Sequence, residues 1–237
     1  MKTIAVVLTC FNRKAKTVQC LDHLFKQAGI EKQFTLNTYL VDDGSTDDID
    51  AAVTALPIAV CLVKQPNAGP AAARNTGIRA ASGEFIAFLD VDDEWPDRTL
   101  DALSAMLVAD PSLMLIQGFS QVMVLDTTTG RYEAQGNPAD AFPYYIGSAL
   151  YRREVFDRVG PFDPTLRFGE DWDWFLRFRD SGLQGARLSR VTLQVHRHGG
   201  NMTAQRTDME MTATALPVFK RMLDRRRRLQ QEPGVSS

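Results

Sequence analysis

The sequence has little net charge, few cysteines and no long apolar run. Its 237 residues include 27 basic and 29 acidic residues, a formal net charge of −2. A protein whose whole surface binds nucleic acid is usually strongly basic, so this balance argues against one. The cysteines Cys10, Cys20 and Cys61 are odd in number and lack C-x-x-C spacing. That pattern argues against a disulfide framework or a zinc ribbon and favours reduced thiols in the cytosol.

The longest uninterrupted apolar run, Ile58–Val63, has six residues, far fewer than the roughly 20 that a membrane-spanning helix needs. The N-terminal apolar run is shorter still and is followed by polar residues, so we expect a first strand and not a signal peptide. Hydrophobic residues make up 44% of the chain and aromatic residues 9%, more than a disordered chain contains. We therefore expect a cytoplasmic protein with one large domain, or one domain and a tail.

The first half of the chain alternates short apolar runs with longer stretches of helical periodicity. The expected strands are Ile4–Thr9, Phe34–Val41, Ile58–Val63 and Glu84–Leu89. The expected helices are Lys14–Gln27 (ending near Gly29), Asp47–Leu56, Ala68–Ala81 and Thr99–Ala109. This order predicts an α/β fold with a Rossmann-like, mostly parallel central sheet and helices on both faces. Ligands of such sheets bind beyond the carboxyl ends of the strands.

The second half changes character and predicts a less regular set of elements. These are one long or two short strands over Met114–Leu125, a turn at Asp126–Gly130, a loop over Glu133–Tyr145, helices over Arg152–Val159 and Glu170–Arg179, a strand over Arg187–Val195, a helix over Thr207–Gln231 and a frayed end at Glu232–Ser237. We divide the chain into a first half (1–110), a second half (111–204) and a C-terminal helix with a basic tail (205–237).

Carboxylates collect where two expected strands end. The segment Asp90–Asp93 contains a D-x-D motif, and Asp42-Asp43 follows another strand. Several carboxylates at one strand end repel one another unless a cation or a ligand offsets them, and oxygen ligands favour Mg²⁺ or Mn²⁺. The alternative in both places is a solvated turn with a helix cap. Asp42, the last residue of its strand, suits a contact with a base N–H or a ribose hydroxyl.

Further polar candidates lie in the helices. Arg74 is a lone arginine among small residues and is either exposed, or neutralises a phosphate, or braces a carboxylate. Acids at Glu170 and Asp171 suit the first turn of a helix. The neighbouring Trp172 and Trp174 also suggest an apolar ring-binding surface beside a general base.

The last candidates are two histidines and a basic tail. His196 and His198 precede Gly199-Gly200, which raises the chance that one of them binds metal or phosphate. The last twenty residues hold six bases and two acids, including Arg225–Arg228. The tail is either a solvated helix end or a contact with anionic lipid or a partner.

Eight stretches of this chain, in this order, resemble the inverting nucleotide-sugar transferases of glycosyltransferase family 2, which have the GT-A fold. The stretches are Val7–Arg13, Val41–Asp47, Asn67–Gly77, Gly83–Asp93, Gly147–Ala149, Arg152–Asp163, Gly169–Arg177 and Arg197–Thr203. The resemblance covers most of the chain and leaves only the terminal helix without a motif. It implies a single GT-A domain in which residues 1–110 bind the nucleotide sugar and residues 111–204 bind the acceptor.

The resemblance implies a role for each matching residue. It implies nucleotide contacts by Thr9 and Phe11 in the base pocket, Asp42 on the base, Arg74 near the base and phosphates, and Asp90 on the ribose. It implies Asp92, Asp93 and His198 as ligands of Mn²⁺ or Mg²⁺ against the diphosphate. On the acceptor side it implies Asp171 as the catalytic base, with Gly147, Glu170 and Trp172 near the sugar or the acceptor.

The activity implied is a metal-dependent, inverting transfer of one sugar from a UDP- or dTDP-sugar to a hydroxyl, in cell-surface polysaccharide synthesis. The Q-x-x-R-W motif that accompanies processive synthases does not follow Asp171, which favours a single transfer. The expected acceptor is a sugar or a lipid-linked sugar, with peripheral membrane contact through the basic tail. The alternatives are a nucleotidyltransferase, although no glycine-rich loop follows the first strand, and a non-catalytic nucleotide-sugar-binding protein.

Overall fold

The computed structural model describes residues 2–28, 34–141, 143–166, 168–201 and 208–231. For residues 27, 28, 208–215 and 228–231 it describes the backbone alone. The predictions that concern Gly29, Met202-Thr203 and Glu232–Ser237 lie outside the described residues.

The described residues form eight strands and seven α-helices. The strands are β1 (Lys2–Cys10), β2 (Phe34–Asp42), β3 (Val60–Lys64), β4 (Phe85–Asp90), β5 (Leu113–Asp126), β6 (Arg131–Gln135), β7 (Ala149–Arg152) and β8 (Gln184–Arg197). The helices are α1 (Lys14–Ala28), α2 (Ile49–Thr54), α3 (Pro70–Ala80), α4 (Thr99–Ala109), α5 (Val155–Val159), α6 (Glu170–Asp180) and α7 (Asp208–Gln231). A short 3₁₀ helix, Ile146–Ser148, precedes β7.

All eight strands belong to one sheet, in the order β3-β2-β1-β4-β7-β5-β6, with β8 on β5. The pairs β1–β2, β1–β4, β2–β3 and β5–β8 are parallel, whereas β4–β7, β5–β7 and β5–β6 are antiparallel. The first-half strands are therefore a parallel block, and β1 lies at its centre. The expectation of a mostly parallel α/β sheet is confirmed.

Helices cover both faces of this sheet because side chains of β1 alternate between two cores. Ile4, Val6 and Leu8 point to the core that α1, α2 and α4 complete. Ala5 and Val7 point to the core that α3, α5 and α6 complete. This alternation is the period of two that a strand imposes on side chains covered on both sides.

Small residues bring α3 close to β1. A Cβ on Gly77 would lie 2.2 Å from Cγ1 of Val7, so only glycine fits between the helix and the strand. Asn75, on the same helix, exchanges hydrogen bonds with the backbone N–H and C=O of Phe162, at 2.9 and 2.8 Å. Helix α3 is therefore fixed against both halves of the chain.

Several expectations for individual elements were wrong. Strand β7 was not predicted: it is four residues long and buried between β4 and β5, so periodicity gives no signal for it. Strand β6 includes Glu133–Gln135, where we expected a loop, because this segment pairs with the far end of β5. Helix α2 is shorter than Asp47–Leu56, since Asp47 accepts the Lys14 backbone N–H at 2.7 Å instead of starting the helix.

Helix α7 packs on α6 through one apolar face and a row of ion pairs. Val218 is fully buried and, with Met222, packs among Leu166, Trp172 and Leu176. The guanidinium groups of Arg221, Arg225 and Arg226 pair with Asp163, Asp173 and Asp180 respectively. Of the described helices, α7 included, none is long and apolar enough to cross a membrane.

Candidate active site

The strand register brings the predicted donor-side acids to one edge of the sheet. Cys10, the last residue of β1, aligns with Asp42 on β2, and Thr9 aligns with Asp90 on β4. Asp42 and Asp90 therefore flank the end of the same central strand. This edge is the place where parallel sheets bind ligands.

Asp42 is buried and offers one free oxygen. Its Oδ1 accepts the Ser45 backbone N–H at 2.8 Å, whereas its Oδ2 is buried without a hydrogen-bond partner in the described residues. Nearby in the chain, Phe11 is 47% exposed and Thr9 is partly buried. A buried acceptor with a spare lone pair is costly unless a ligand satisfies it, so Asp42 is suited to bind an N–H group.

The neighbouring Asp43, which the sequence analysis did not assign to the site, fixes a loop. Its carboxylate accepts Gln65 Nε2 at 2.6 Å and the backbone N–H groups of Ala68 and Gly69, each at 2.9 Å. It thereby holds the chain that leads into α3, at Gly69 (φ 88°). The acid pair after β2 therefore consists of Asp42, which has one oxygen without a partner, and Asp43, whose two oxygens both hold the loop.

Arg74 is the centre of the site. Its side chain is 5% exposed, which answers the open question of its burial. Nη2 donates to both oxygens of Asp90 at 3.0 Å, and Nη1 donates to Glu170 Oε1 at 2.8 Å and Asp171 Oδ1 at 2.9 Å. Of the alternatives weighed for Arg74, the structure has it bracing three carboxylates from two elements, β4 and α6.

Asp171 is 18% exposed and lies at the start of α6. Its Oδ2 accepts the Ile146 backbone N–H at 3.2 Å. Burial raises the pKa of Asp171 to about 7; Glu170 and Asp90 add to the rise, and Arg74 opposes it. A carboxylate that titrates near neutral pH is suited to accept and release protons.

Two of the three predicted metal ligands meet. Asp92 Oδ1 and His198 Nε2 are 3.5 Å apart, and both atoms are buried without a hydrogen-bond partner among the described residues. Asp93 is engaged elsewhere, because its Oδ1 accepts the His196 backbone N–H at 3.1 Å. In the described ranges, no three His, Cys, Asp or Glu side chains could hold a metal ion together.

His196, the other histidine, contacts the loop that follows β4. His196 Nδ1 lies 3.1 Å from the Asp92 carbonyl oxygen, and its ring stacks on Tyr132 of β6 with 4.3 Å between centroids. His198 Nδ1 accepts the Gly200 N–H at 3.1 Å, which leaves Nε2 as the nitrogen that faces Asp92.

One tryptophan of the predicted ring-binding surface is in the core. Trp174 is fully buried, and its Nε1 donates to the Gly160 carbonyl at 3.0 Å, so it offers no surface to a sugar and that expectation was wrong. Trp172 is partly buried and packs toward α7. The Gly147 carbonyl accepts a hydrogen bond from Trp95 Nε1 at 2.8 Å, which links the segment before β7 to the loop after β4.

Arg13 is a residue that the sequence analysis did not single out. Its guanidinium donates to the Gly200 carbonyl, and a Cβ on Gly200 would lie 3.3 Å from Arg13 Nη1. Arg13 therefore stands beside the loop that carries His198. The sequence signal that could have found Arg13 is its place in the Val7–Arg13 motif, between the end of β1 and the start of α1.

The cysteines take no part in this chemistry. All three are free thiols. Burial raises the pKa of both Cys10 and Cys20 to about 12, so neither is a thiolate nucleophile near neutral pH.

Solved structures with a similar fold identify the class as GT-A. Residues 1–349 of TarS from S. aureus in complex with UDP-GlcNAc superimpose with a TM-score of 0.67 and 21% identity, over 87% of this chain and 62% of that one. The mannosyltransferase PcManGT from Pyrobaculum calidifontis, with GDP-Man and Mn²⁺, gives a TM-score of 0.66 and 20% identity, over 99% and 65%. The predicted GT-A fold is confirmed.

The chain belongs to glycosyl transferase family 2, whose family model matches residues 5–162. It is 30% identical over 181 residues to the pre-mycofactocin glycosyltransferase of Mycobacterium tuberculosis, a match that covers 69% of this chain and 38% of the relative. It is 28% identical over 180 residues to an uncharacterized glycosyltransferase of Nostoc sp., which covers 68% and 54%. The chain thus spans about half the length, or less, of these relatives.

Proposed function

We propose that this protein transfers one sugar from a nucleoside-diphosphate sugar to a hydroxyl acceptor, with inversion at the anomeric carbon and a requirement for a divalent metal ion. The observation that carries the proposal is the Arg74 cluster. It joins Asp90, at the nucleotide-binding edge of the sheet, to Asp171, a carboxylate whose pKa is raised to about 7. A donor bound at the strand ends then lies beside a general base.

Asp171 acts on the acceptor. Its carboxylate takes the proton from the acceptor hydroxyl while that oxygen attacks the anomeric carbon, and the bond from that carbon to the diphosphate oxygen breaks. The nucleoside diphosphate leaves from the opposite face. Arg74 and the Ile146 N–H hold the two oxygens of Asp171, so the base keeps its orientation through the reaction.

Asp42, Phe11 and Asp90 bind the nucleoside. The free Oδ2 of Asp42 accepts an N–H of the base, and the exposed ring of Phe11 packs on it. Asp90 is 45% exposed despite its contact with Arg74, so its carboxylate remains accessible to the ribose hydroxyls. Thr9 lies at the end of the same central strand.

Asp92 and His198 suit a divalent ion, because a carboxylate oxygen and an imidazole nitrogen, both buried and without a hydrogen-bond partner among the described residues, face each other at 3.5 Å. Each of these atoms supplies a lone pair to a metal ion when it is unprotonated. When bound, Mn²⁺ or Mg²⁺ supplies positive charge that stabilises the diphosphate leaving group. Such ions commonly take one or two protein ligands and complete their shell with phosphates and water. Asp93 then supports the site through the His196 backbone rather than as a third ligand.

The donor and acceptor classes are proposed from the relatives. Glucosyl-3-phosphoglycerate synthase of M. tuberculosis was solved with UDP and Mn²⁺, and TarS with UDP-GlcNAc, which supports a UDP- or dTDP-linked donor. A succinoglycan biosynthesis protein of Rhizobium meliloti is 29% identical over 194 residues. This supports a sugar or lipid-linked acceptor in cell-surface polysaccharide synthesis, with the protein acting at the cytoplasmic side.

The test is a thermal-shift screen with nucleoside diphosphates and sugar nucleotides in the presence of Mn²⁺, since native-state ligands raise stability. Sugar nucleotides that stabilise the protein are then assayed for release of nucleoside diphosphate. A non-catalytic binding protein would give a shift without release. A nucleotidyltransferase would instead form pyrophosphate from a nucleoside triphosphate and a sugar phosphate, and either outcome would reject the proposal.

A further inference from the structure

Three of the five large apolar side chains that are exposed in the described part of the chain lie on one helix. Leu216, Phe219 and Leu223 of α7 are 61%, 47% and 49% exposed. Their spacing of three and four residues puts them on a single face. We call these three residues the α7 stripe. A cluster of exposed apolar groups on one face is uncommon and marks a binding surface.

The opposite face of α7 is already occupied. Val218 is buried and Met222 partly buried against α6, and Arg221, Arg225 and Arg226 pair with acids of the protein body. These arginines, which the sequence analysis offered for a lipid contact, are therefore committed to holding the helix in place. The α7 stripe is what the helix presents outward.

Two exposed basic residues lie on the same side of α7 as the α7 stripe. Lys220 is exposed and Arg227 is 73% exposed; each follows a stripe residue by four positions and so shares its side of the helix. Asp224 is the one acid among residues 216–227, and its contact with Arg227 is long, at 3.8 Å, and exposed. Such a pair contributes little in water, so Arg227 can exchange Asp224 for another anion.

We propose that the α7 stripe, with Lys220 and Arg227, docks this protein on an anionic lipid surface. A helix that combines Leu and Phe on one side with flanking bases lies in the plane of a bilayer interface. The bases match the negative potential of such a surface. A protein partner would not by itself require this pairing of apolar and basic groups.

The position of α7 gives the contact a use that rests on the proposed function. A Cβ on Gly169, directly before Glu170 and Asp171, would lie 3.2 Å from Cγ2 of Val218 on α7. The helix therefore packs against the segment that carries the general base. A lipid surface at α7 would lie on the acceptor side of the molecule, where a lipid-linked acceptor would be held.

Vesicle flotation of the whole protein tests the proposal, with vesicles of phosphatidylcholine alone and of phosphatidylcholine mixed with phosphatidylglycerol. We expect binding to the mixed vesicles, weakened by salt, and a loss of about tenfold or more in the L216S/F219S/L223S variant. The K220Q/R227Q variant should bind less and lose much of its salt dependence. The matched control is Val108→Ser, which changes an exposed apolar side chain (44%) of α4 and should bind like the parent.

Several results would overturn the docking proposal. They are no binding by the parent, equal binding by the stripe variant, or a parent dimer that the stripe variant converts to a monomer in light scattering while neither binds lipid. Transfer to a soluble acceptor separates this proposal from the proposed function. The stripe variant should keep that activity, and a protein that binds vesicles without transferring sugar would contradict the function and leave the docking surface standing.

Discussion

Arg74 and Asp171 form a buried ion pair, with 2.9 Å between Nη1 and Oδ1, that joins helix α3 of the first half to helix α6 of the second. The same guanidinium holds Asp90 and Glu170. One cation therefore offsets three carboxylates, and the proposed general base, Asp171, is positioned by the same group that orients the proposed ribose contact, Asp90.

Replacing Asp171 with asparagine tests the base. The Asp171→Asn variant keeps the shape of the side chain and removes the proton acceptor, so turnover should fall by about 10²–10⁴, whereas nucleotide binding should survive. Asp157→Asn, on an exposed position of α5, is the control and should transfer sugar normally. Near-parental turnover by Asp171→Asn would reject the assignment.

The pH dependence of transfer should report the raised pKa of Asp171. Activity requires the ionised form, so kcat/KM should rise with pH along an acid limb centred near 7, not near 4 as for an ordinary aspartate. Because Arg74 lowers this pKa, the Arg74→Met variant should shift the limb to higher pH. A limb below pH 5 in the parent protein would contradict this account.

The raised pKa of Asp171 also makes the free energy of unfolding depend on pH. The folded state holds the Asp171 proton more tightly than the unfolded state, so ionisation of Asp171 costs stability as pH rises from about 4 to about 7. Melting temperatures across this range should therefore fall less steeply in Asp171→Asn than in the parent. Identical slopes would show that Asp171 titrates normally.

Removing Arg74 should destabilise the fold. Arg74→Met leaves three carboxylates facing one another, and breaking a buried ion pair in this way costs about 3–5 kcal/mol. Urea unfolding measures the loss. Arg79→Met provides the control on the same helix. In the described part of the chain its guanidinium contacts only Thr76, at 2.6 Å, on an exposed surface, so the change should alter stability by less than about 0.5 kcal/mol.

Asp92 and His198, the proposed metal ligands, should determine how much a divalent ion strengthens nucleotide binding. In the parent, Mn²⁺ should strengthen UDP binding, and Asp92→Ala or His198→Ala should each abolish most of that gain. His23→Ala, which changes a histidine of α1 that is 38% exposed, should retain it. Titration calorimetry with and without the ion measures the UDP affinity of each variant. Equal UDP affinity with and without metal in the parent would reject the metal assignment.

Local patterns predicted much of the first half of the chain because its elements are defined by short-range signals. The four parallel strands followed from apolar runs, and the location of Asp42, Asp90 and Asp92 followed from their place at strand ends. Arg74 was recognised as unusual among small residues, but burial and partners ninety residues away, such as Glu170 and Asp171, depend on tertiary packing.

Long-range pairing explains the errors. Strand β7 exists because β4 and β5 leave a gap that it fills, which four residues cannot signal locally. Trp174 and Trp172 have the same residue type and neighbouring positions, yet helix geometry turns the first into the core and the second toward α7. Likewise, the arginines of α7 meet their acids only once the helix has docked.

The ion cluster around Arg74 also limits how far the two halves can be exchanged between relatives. A second half grafted from another protein must bring an acid pair to the first turn of α6, because otherwise the buried Arg74 keeps only Asp90 as an ion-pair partner. We therefore expect stable chimeras only from relatives that carry this acid pair at the start of α6. The sequences of candidate chimeras can be checked for the pair before any activity is measured.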